Sequence, residues 1–470
     1  MKLVPRYTDI TENFAIEDFP ASVAFPQLLL WNESLAKEFN INVAADLRAS
    51  TFSGNEKQAI PAVALGYSGH QFGHFSPRLG DGRAHLLGAI NDDKNQLWDI
   101  QLKGSGATPY SRGGDGRCAL GPAIREYVMS EAMHALGIKT TRCLAVVGSG
   151  ETVYRNPPQA GAIVTRLATS HIRVGSFQYL ATQGDVEGLK NLADLAIERH
   201  YPEITDTGSQ RYLAFLGAVI KNQVKLVVSW MRVGFIHGVM NTDNTLVSGE
   251  TIDYGPCAMM NSFDFDTVFS SIDKQGRYAF GNQPNIANWN CARLAESLIP
   301  LISDDDEQAV SLMTPYINSF AEQFNTEFTA MWAQKLGLNE SCNSSGELIA
   351  ELLTLLKDNQ LDYTNTFDAL TESLKEEVVI IPESLIEWRA KWVSLTDDNS
   401  YEVMRTANPR VIPRNHVIEE IIAQYNATGS SELLQRFIKI ASNPYSDSEK
   451  LSEFQATPIN ENDYQTFCGT

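Results

Sequence analysis

His237-Gly238-Val239-Met240-Asn241-Thr242-Asp243-Asn244-Thr245-Leu246-Val247, closely followed by Thr251-Ile252-Asp253-Tyr254-Gly255, is the stretch on which the reading of this chain turns. An amide oxygen at Asn244 and a carboxylate at Asp253 are donor types that suit Mg²⁺, and a cation held there would neutralise a polyphosphate. The blander reading is a polar loop ahead of a buried hairpin. The choice depends on what lies upstream.

In protein kinases the catalytic loop runs His, then Asp two later, then Asn five after that Asp, ahead of a metal-binding Asp-Phe-Gly. Here His237, Asn244 and Asp253-Tyr254-Gly255 fall in that register, and Val239 stands where the kinase Asp would be. Such a site also needs an upstream lysine. Lys103 ends the run Leu97-Trp98-Asp99-Ile100-Gln101-Leu102-Lys103, where Trp98, Ile100 and Leu102 alternate with Asp99, Gln101 and Lys103. That period of two predicts a strand with an apolar and a polar face, paired antiparallel with Ala84–Ile90 across a polar turn. Lys103 is then either a solvated lysine before a turn or a phosphate-binding lysine held by a helix carboxylate. The next helix, predicted over Ala123–Leu136 with Pro122 in its first turn and Gly137 just past its end, offers Glu126 and Glu131. On a helical wheel Glu131 falls among Ile124, Val128 and Ala135, so periodicity favours Glu131.

One tetrapeptide occurs twice around that lysine, as Gly80-Asp81-Gly82-Arg83 and Gly114-Asp115-Gly116-Arg117. Glycines let successive backbone N–H groups point into a concavity that suits phosphate oxygens, with the arginine as an added donor. Two ordinary Asp-Gly hairpin turns are the plainer alternative. Other phosphate motifs fail: there is no GxxxxGK[ST], and Gly104-Ser105-Gly106 lacks the third glycine of a dinucleotide loop. Arg166, on a predicted strand Ala162–Leu167, and Arg173 are two further cations, unremarkable if exposed. His70 and His74 lack a third ligand at suitable spacing and read as structural.

Arg142–Val147 and Glu151–Arg155 predict two more short strands, joined at Gly148-Ser149-Gly150. The order is strand, strand, helix, three short strands and a mainly helical remainder. That order predicts an α+β, two-lobed nucleotide-binding architecture rather than a βαβ repeat. Asn156-Pro157-Pro158-Gln159 predicts a turn and Ser303-Asp304-Asp305-Asp306-Glu307 a capped helix start. At 470 residues the chain exceeds a single core of roughly 250–300 residues. The expected parts are an N-terminal extension (1–60), a nucleotide-binding part (61–180), a part with the catalytic and metal-binding loops (181–300) and a helical C-terminal region (301–470).

Composition narrows the partners. With 43% hydrophobic and 20% charged residues the chain is neither fibrous nor wholly disordered. Its 37 basic against 57 acidic residues give −20, which opposes a sequence-independent grip on nucleic acid. A small basic pocket for a nucleotide stays compatible with that. Six cysteines without a CxxC suit a reducing compartment and argue against a zinc ribbon or disulfide scaffold. With no signal-like N-terminus and no apolar run of about 18–20 residues, the expectation is a cytoplasmic protein without a membrane partner.

Taken together, these motifs resemble the selenoprotein O family, whose bacterial members are also called YdiU. The match runs from Leu65-Gly66-Tyr67-Ser68-Gly69-His70-Gln71-Phe72-Gly73 through both GDGR copies and His237–Gly255. It reaches Gln275-Gly276-Arg277-Tyr278-Ala279-Phe280-Gly281-Asn282-Gln283-Pro284. The resemblance implies a protein-kinase-like fold and a protein adenylyltransferase that moves AMP from ATP to hydroxyl side chains of proteins; some bacterial relatives use UTP. It implies a nucleotide flipped relative to kinases, exposing the α-phosphate and burying the γ-phosphate. Position by position, Lys103 would hold phosphate with Glu126, not Glu131, as its helix partner. Gly80, Gly82, Arg83, Asp115 and Gly116 would line the nucleotide, with Arg166 and Arg173 at its phosphates. Asn244 and Asp253 would bind Mg²⁺, with Mn²⁺ as an alternative, and Asp243 would accept the proton. Family members often carry a reactive Cys or selenocysteine near the C-terminus. Cys468 stands there, but Phe269-Ser270-Ser271-Ile272 offers no partner, which leaves Cys257 or Cys291. Two other readings stay open: a phosphotransferase, which Val239 opposes, and a non-catalytic ATP-binding scaffold, which leaves Asp243 without a task.

Overall fold

The computed structural model describes all residues except 1, 6, 12–13, 339–344, 376–378, 448–450 and 459–470. The period-two runs form an antiparallel sheet, built from β1 (Ala15–Glu17), β2 (Gln27–Trp31) and β3 (Val63–Leu65) with β6–β10 below. A separate hairpin of β4 (Gly69–Gln71) and β5 (His74–Ser76) follows β3. β6 (Ala84–Asn91), β7 (Leu97–Lys103), β8 (Cys118–Ala119), β9 (Arg142–Val153) and β10 (Gln159–Ala168) complete the sheet. Its order is β1-β3-β6-β7-β10-β9-β2, with β8 beside β10. β7 is therefore central, and Lys103 lies level with Ala84 on one side and Val164 on the other.

The alternation in β7 survives, but its polar face is not solvated. Asp99 and Gln101 are fully buried and Lys103 nearly so. The apolar face is covered by two short helices, α1 (Glu33–Glu38) and α2 (Arg48–Ser53), so that Ile100, Leu102, Ile163 and Leu167 share a core with Leu35, Phe39 and Phe52. The polar face turns towards α3 (Leu120–Ala135) and the helices beyond it. Buried polar groups there must find partners. Asp99 accepts from Tyr7 Oη at 2.6 Å, Arg199 Nη2 at 2.7 Å and the His171 N–H at 3.1 Å.

Two expectations are corrected. Instead of separate strands Arg142–Val147 and Glu151–Arg155 there is one strand, Arg142–Val153, because Gly148 is paired on both sides, with Ala162 of β10 and Gln27 of β2. The glycines make room rather than a break: a Cβ on Gly150 would stand 2.6 Å from Phe25 Cβ. The predicted helix Ala123–Leu136 begins a turn earlier, at Leu120, and Gly137 (φ 78) follows its cap.

The helical part starts with α4 (Val174–Thr182), α5 (Val186–His200) and α6 (Ser209–Val233). Among the described residues α6 is the one helix long and apolar enough to cross a bilayer, yet it lies in the core against α7 (Gln283–Ile302) and α8 (Asp306–Leu336). Asp305 caps α8 by accepting from the N–H groups of Glu307 and Gln308, in the segment predicted to start a helix. α9 (Ser345–Asp358), α10 (Tyr363–Glu372), α11 (Ile386–Val393), α12 (Ser400–Ala407), α13 (Asn415–Thr428) and α14 (Glu432–Ala441) follow. α13 and α14 return to pack on α3. A short ladder, β11 (Phe235–Ile236) with β12 (Ala258–Met259), closes the base of the loop that carries Asp243, Asn244 and Asp253.

Candidate active site

Between the polar face of the sheet and the 237–257 loop lies a cleft of about 290 Å³. Of the residues singled out from sequence, Gly80, Gly82, Arg83, Lys103, Asp115, Gly116, Arg166, Arg173, Asp243, Asn244 and Asp253 all line it. Glu126 lies behind it as an anchor. Lys103 Nζ donates to Glu126 Oε2 at 2.6 Å and to Asp253 Oδ1 at 3.0 Å. Arg166 Nε donates to the other oxygen, Oε1, at 2.6 Å. Burial pushes the Glu126 carboxyl upward in pKa, but Arg166 and Lys103 together outweigh that and hold it low. The sheet sets this geometry. Arg166 lies opposite Gln101 in the β10–β7 register, and Gln101 and Lys103 share a face.

Periodicity had favoured Glu131. That carboxylate is instead committed to Arg142, at 2.9 and 2.7 Å, and to Asn32.

Arg173, at the start of α4, stacks its guanidinium 4.0 Å from the centre of the Tyr67 ring and lies 3.4 Å from Asp81 Oδ1. Asp81 also accepts from Leu65 N–H and Gln101 Nε2. The first GDGR copy therefore does not offer an open nest. The N–H groups of Gly80, Asp81 and Gly82 donate to Tyr67, Leu65 and Gly80 carbonyls, and its inward element is the Asp81 side chain. In the second copy Asp115 is gripped by both Arg155 Nη atoms, at 2.7 and 3.0 Å, which holds its carboxyl below the usual range. Gly116 (φ 66) admits no side chain, since a Cβ would stand 2.0 Å from the Gly106 carbonyl carbon.

The loop itself is held from behind. His237 Nε2 lies 2.9 Å from the Ile252 carbonyl oxygen, and the ring is buried. Asp253 takes a left-handed φ of 66, which a non-glycine residue adopts at a cost and which aims its carboxylate at Lys103. Asn244 donates its amide nitrogen to the Val239 carbonyl at 3.2 Å, leaving the amide oxygen to face the cleft. Asp243 is buried; its Oδ1 has no hydrogen-bond partner and its Oδ2 has only Gln71 Nε2, at 3.5 Å. Burial raises its carboxyl to about 6, against the opposing pull of backbone N–H groups and Arg173.

The sequence that builds this cation-lined cleft is similar to that of known proteins. Residues 1–442 match the sequence model of the family described as Protein adenylyltransferase SelO. The chain belongs to the SelO family. A protein nucleotidyltransferase YdiU of Pseudoalteromonas translucida (strain TAC 125) is 79% identical over the full length of both chains. The one from Teredinibacter turnerae is 45% identical, again covering 100% of each chain. The one from Anoxybacillus flavithermus is 48% identical over 99% of this chain and 98% of its own.

Three residues of the SelO cleft carry more than the sequence alone assigned them: Tyr67 under Arg173, Asp81 between Arg173 and Gln101, and Gln71 on Asp243. Tyr67 and Gln71 are uncharged, so nothing in their chemistry marked them out. His70 is held by hydrogen bonds: its backbone N–H donates to Thr242 Oγ1 and its Nδ1 pairs with Gln178 Nε2. Cys468 lies outside the described residues. Cys257 and Cys291 are free and buried, and burial pushes both thiols up to about 12.

Proposed function

We propose that this chain is a protein nucleotidyltransferase that moves AMP from ATP to hydroxyl side chains of other proteins, on a kinase-like, two-lobed scaffold. The sheet part around 61–180 and the helical part around 181–300 would be the two lobes. The observation that carries the reading is Asp243: a buried carboxylate with one free oxygen stands beside a cation-lined cleft, while Val239 occupies the kinase base position.

In this reading Lys103, Arg166, Arg173 and Arg83 hold the triphosphate, with Lys103 and Arg166 fixed by Glu126 at the buried end where the distal phosphates fit. Asp243 takes the proton of the acceptor hydroxyl. The hydroxyl oxygen bonds to the α-phosphorus, the bond from that phosphorus to its bridging oxygen breaks, and pyrophosphate leaves. The cations stabilise charge that builds on the leaving group.

A divalent cation, Mg²⁺ or Mn²⁺, fits Asn244 and Asp253, since an amide and a carboxylate oxygen are hard donors that both line the cleft. Among the described residues no three His, Cys, Asp or Glu side chains converge, so phosphate oxygens would complete the shell. When bound, the ion neutralises phosphate charge. An acidic chain whose described cysteines, Cys118, Cys143, Cys257 and Cys291, are buried and unpaired suits cytoplasmic protein substrates and no nucleic-acid partner.

The deciding experiment uses ATP labelled on either phosphate, with Mg²⁺ and a protein mixture. Label on the α-phosphate should enter protein and label on the γ-phosphate should not. Entry of γ-label at a comparable rate would make the chain a phosphotransferase.

A further inference from the structure

Asp243 is approached on one side by the nucleotide cleft and on the other by the β4–β5 hairpin. The hairpin is fixed to the loop: His70 N–H donates to Thr242 Oγ1 at 2.8 Å and Phe72 N–H to Asn241 Oδ1 at 3.1 Å. A Cβ on Gly69 would stand 2.2 Å from Asp243 Oδ1. On its outer side this hairpin leaves Gly73, His74 and Phe75 exposed, on the surface next to the loop that carries Asp243.

Two guanidiniums stand beside this hairpin. Arg277 lies against the turn, its Cζ 3.6 Å from the Cβ position of Gly73, and is held 4.8 Å from the Trp289 ring centre. Arg78, exposed just beyond β5, lies 5.7 Å from the Tyr110 ring centre. Neither has a carboxylate within 4.0 Å among the described residues. The neighbouring acids are engaged elsewhere. Asp273 accepts the backbone N–H groups of Arg277 and Tyr278 at 2.9 and 2.7 Å, and Glu296 pairs with Arg293 at 2.5 Å. Aromatic faces orient both cations without neutralising them. Neither lines the nucleotide cleft, so phosphate binding does not account for them. The chain as a whole carries −20, but at physiological salt charges beyond about 8 Å are screened, so the local cations set the preference at the hairpin.

We propose that Arg277 and Arg78 select acceptor segments that carry an acidic side chain beside the hydroxyl. The inference rests on the transfer reading only for the side from which the acceptor arrives. The test separates the two by using peptides without a hydroxyl. Two fluorescein-labelled peptides, one with Asp and Glu flanking a central alanine and one with Lys and Arg there, are titrated with the full chain by anisotropy. Saturating Mg²⁺ and inorganic triphosphate keep the phosphate site filled. The acidic peptide should bind about 5-fold tighter than the basic one. The preference should vanish in Arg78→Glu/Arg277→Glu and persist in Arg78→Lys/Arg277→Lys, which keeps both charges and so separates lost charge from lost folding. Equal affinities, no detectable binding of the acidic peptide, or an unchanged preference in the Glu variant would overturn the proposal. So would an acidic preference seen only without triphosphate, which would place the peptide in the nucleotide site.

Discussion

Asp243 has the attributes of a proton acceptor that waits for its partner. One oxygen is weakly held by Gln71, the other accepts no hydrogen bond from another residue, and the side chain is shut away from bulk water. A buried unpaired polar atom costs stability unless something occupies the position in the working complex. The substitution Asp243→Asn keeps shape and volume while removing the base, and general-base help contributes typically about 10²–10⁴-fold. Turnover should fall by that order with ATP affinity unchanged. Turnover within a few-fold of the unaltered enzyme would reduce Asp243 to a residue that merely shapes its loop through backbone hydrogen bonds.

At the scale of elements, α3, β7 and β10 meet through one carboxylate. Glu126 carries Lys103 on one oxygen and Arg166 on the other, all three buried. In Glu126→Gln one acceptor oxygen remains, but the charge that Lys103 and Arg166 share is lost, and Asp253 is left as the one carboxylate acting on both. Removing one carboxylate from a buried ion network costs about 3 kcal/mol. Urea unfolding should show a loss of that order together with weakened ATP binding; a loss under about 1 kcal/mol would mean that the carboxylate contributes little.

The same element shows what was legible beforehand. The 237–255 spacing was readable because its groups lie within one loop, where sequence distance fixes spatial distance. The choice between Glu126 and Glu131 was not readable from periodicity, because α3 is buried along nearly its whole length from Ala123 to Met133 and has no solvent face to set a phase. β7 posed the opposite problem. Its alternation was visible, but alternation cannot tell a face turned to water from one turned to a buried charge network such as Asp99 with Arg199 and Tyr7. Gly148 and Gly150 suggested a break for a like reason: the partners that hold the strand through them, Gln27 and Ala162, are remote in sequence.

For the whole molecule, histidines whose pKa burial lowers set the response to acid, His200 among them, held down to about 3. His85 on β6, His171 between β10 and α4, and His237 after β11 are each lowered in pKa, with burial as the leading cause. Above the unfolded value of about 6.5 both states are neutral and the histidines contribute nothing to the pH dependence. Below it the unfolded chain binds protons that the folded chain refuses, so stability is lost as pH falls. The urea midpoint should therefore drop steadily from pH 6.5 towards 4.5, and His171→Gln should make that slope shallower. An unchanged slope in the variant would assign the acid response to other groups.

The return of α13 and α14 onto α3 has a consequence in time. Arg125, the neighbour of Glu126, donates to Asn415 at 3.4 Å and pairs with Glu419, while Gly121 lies against Ile422. The helix that anchors the phosphate lysine is thus roofed by segments made well after the cleft residues. A ribosome that has already released the lysine, the nucleotide cleft and the loop bearing Asp243 still has to supply that roof. Until then α3 has one flank open to water and Arg125 lacks both its partners. The newborn chain covers α3 only after the cleft residues themselves have been made, a delay that separates the making of this cleft from its full support.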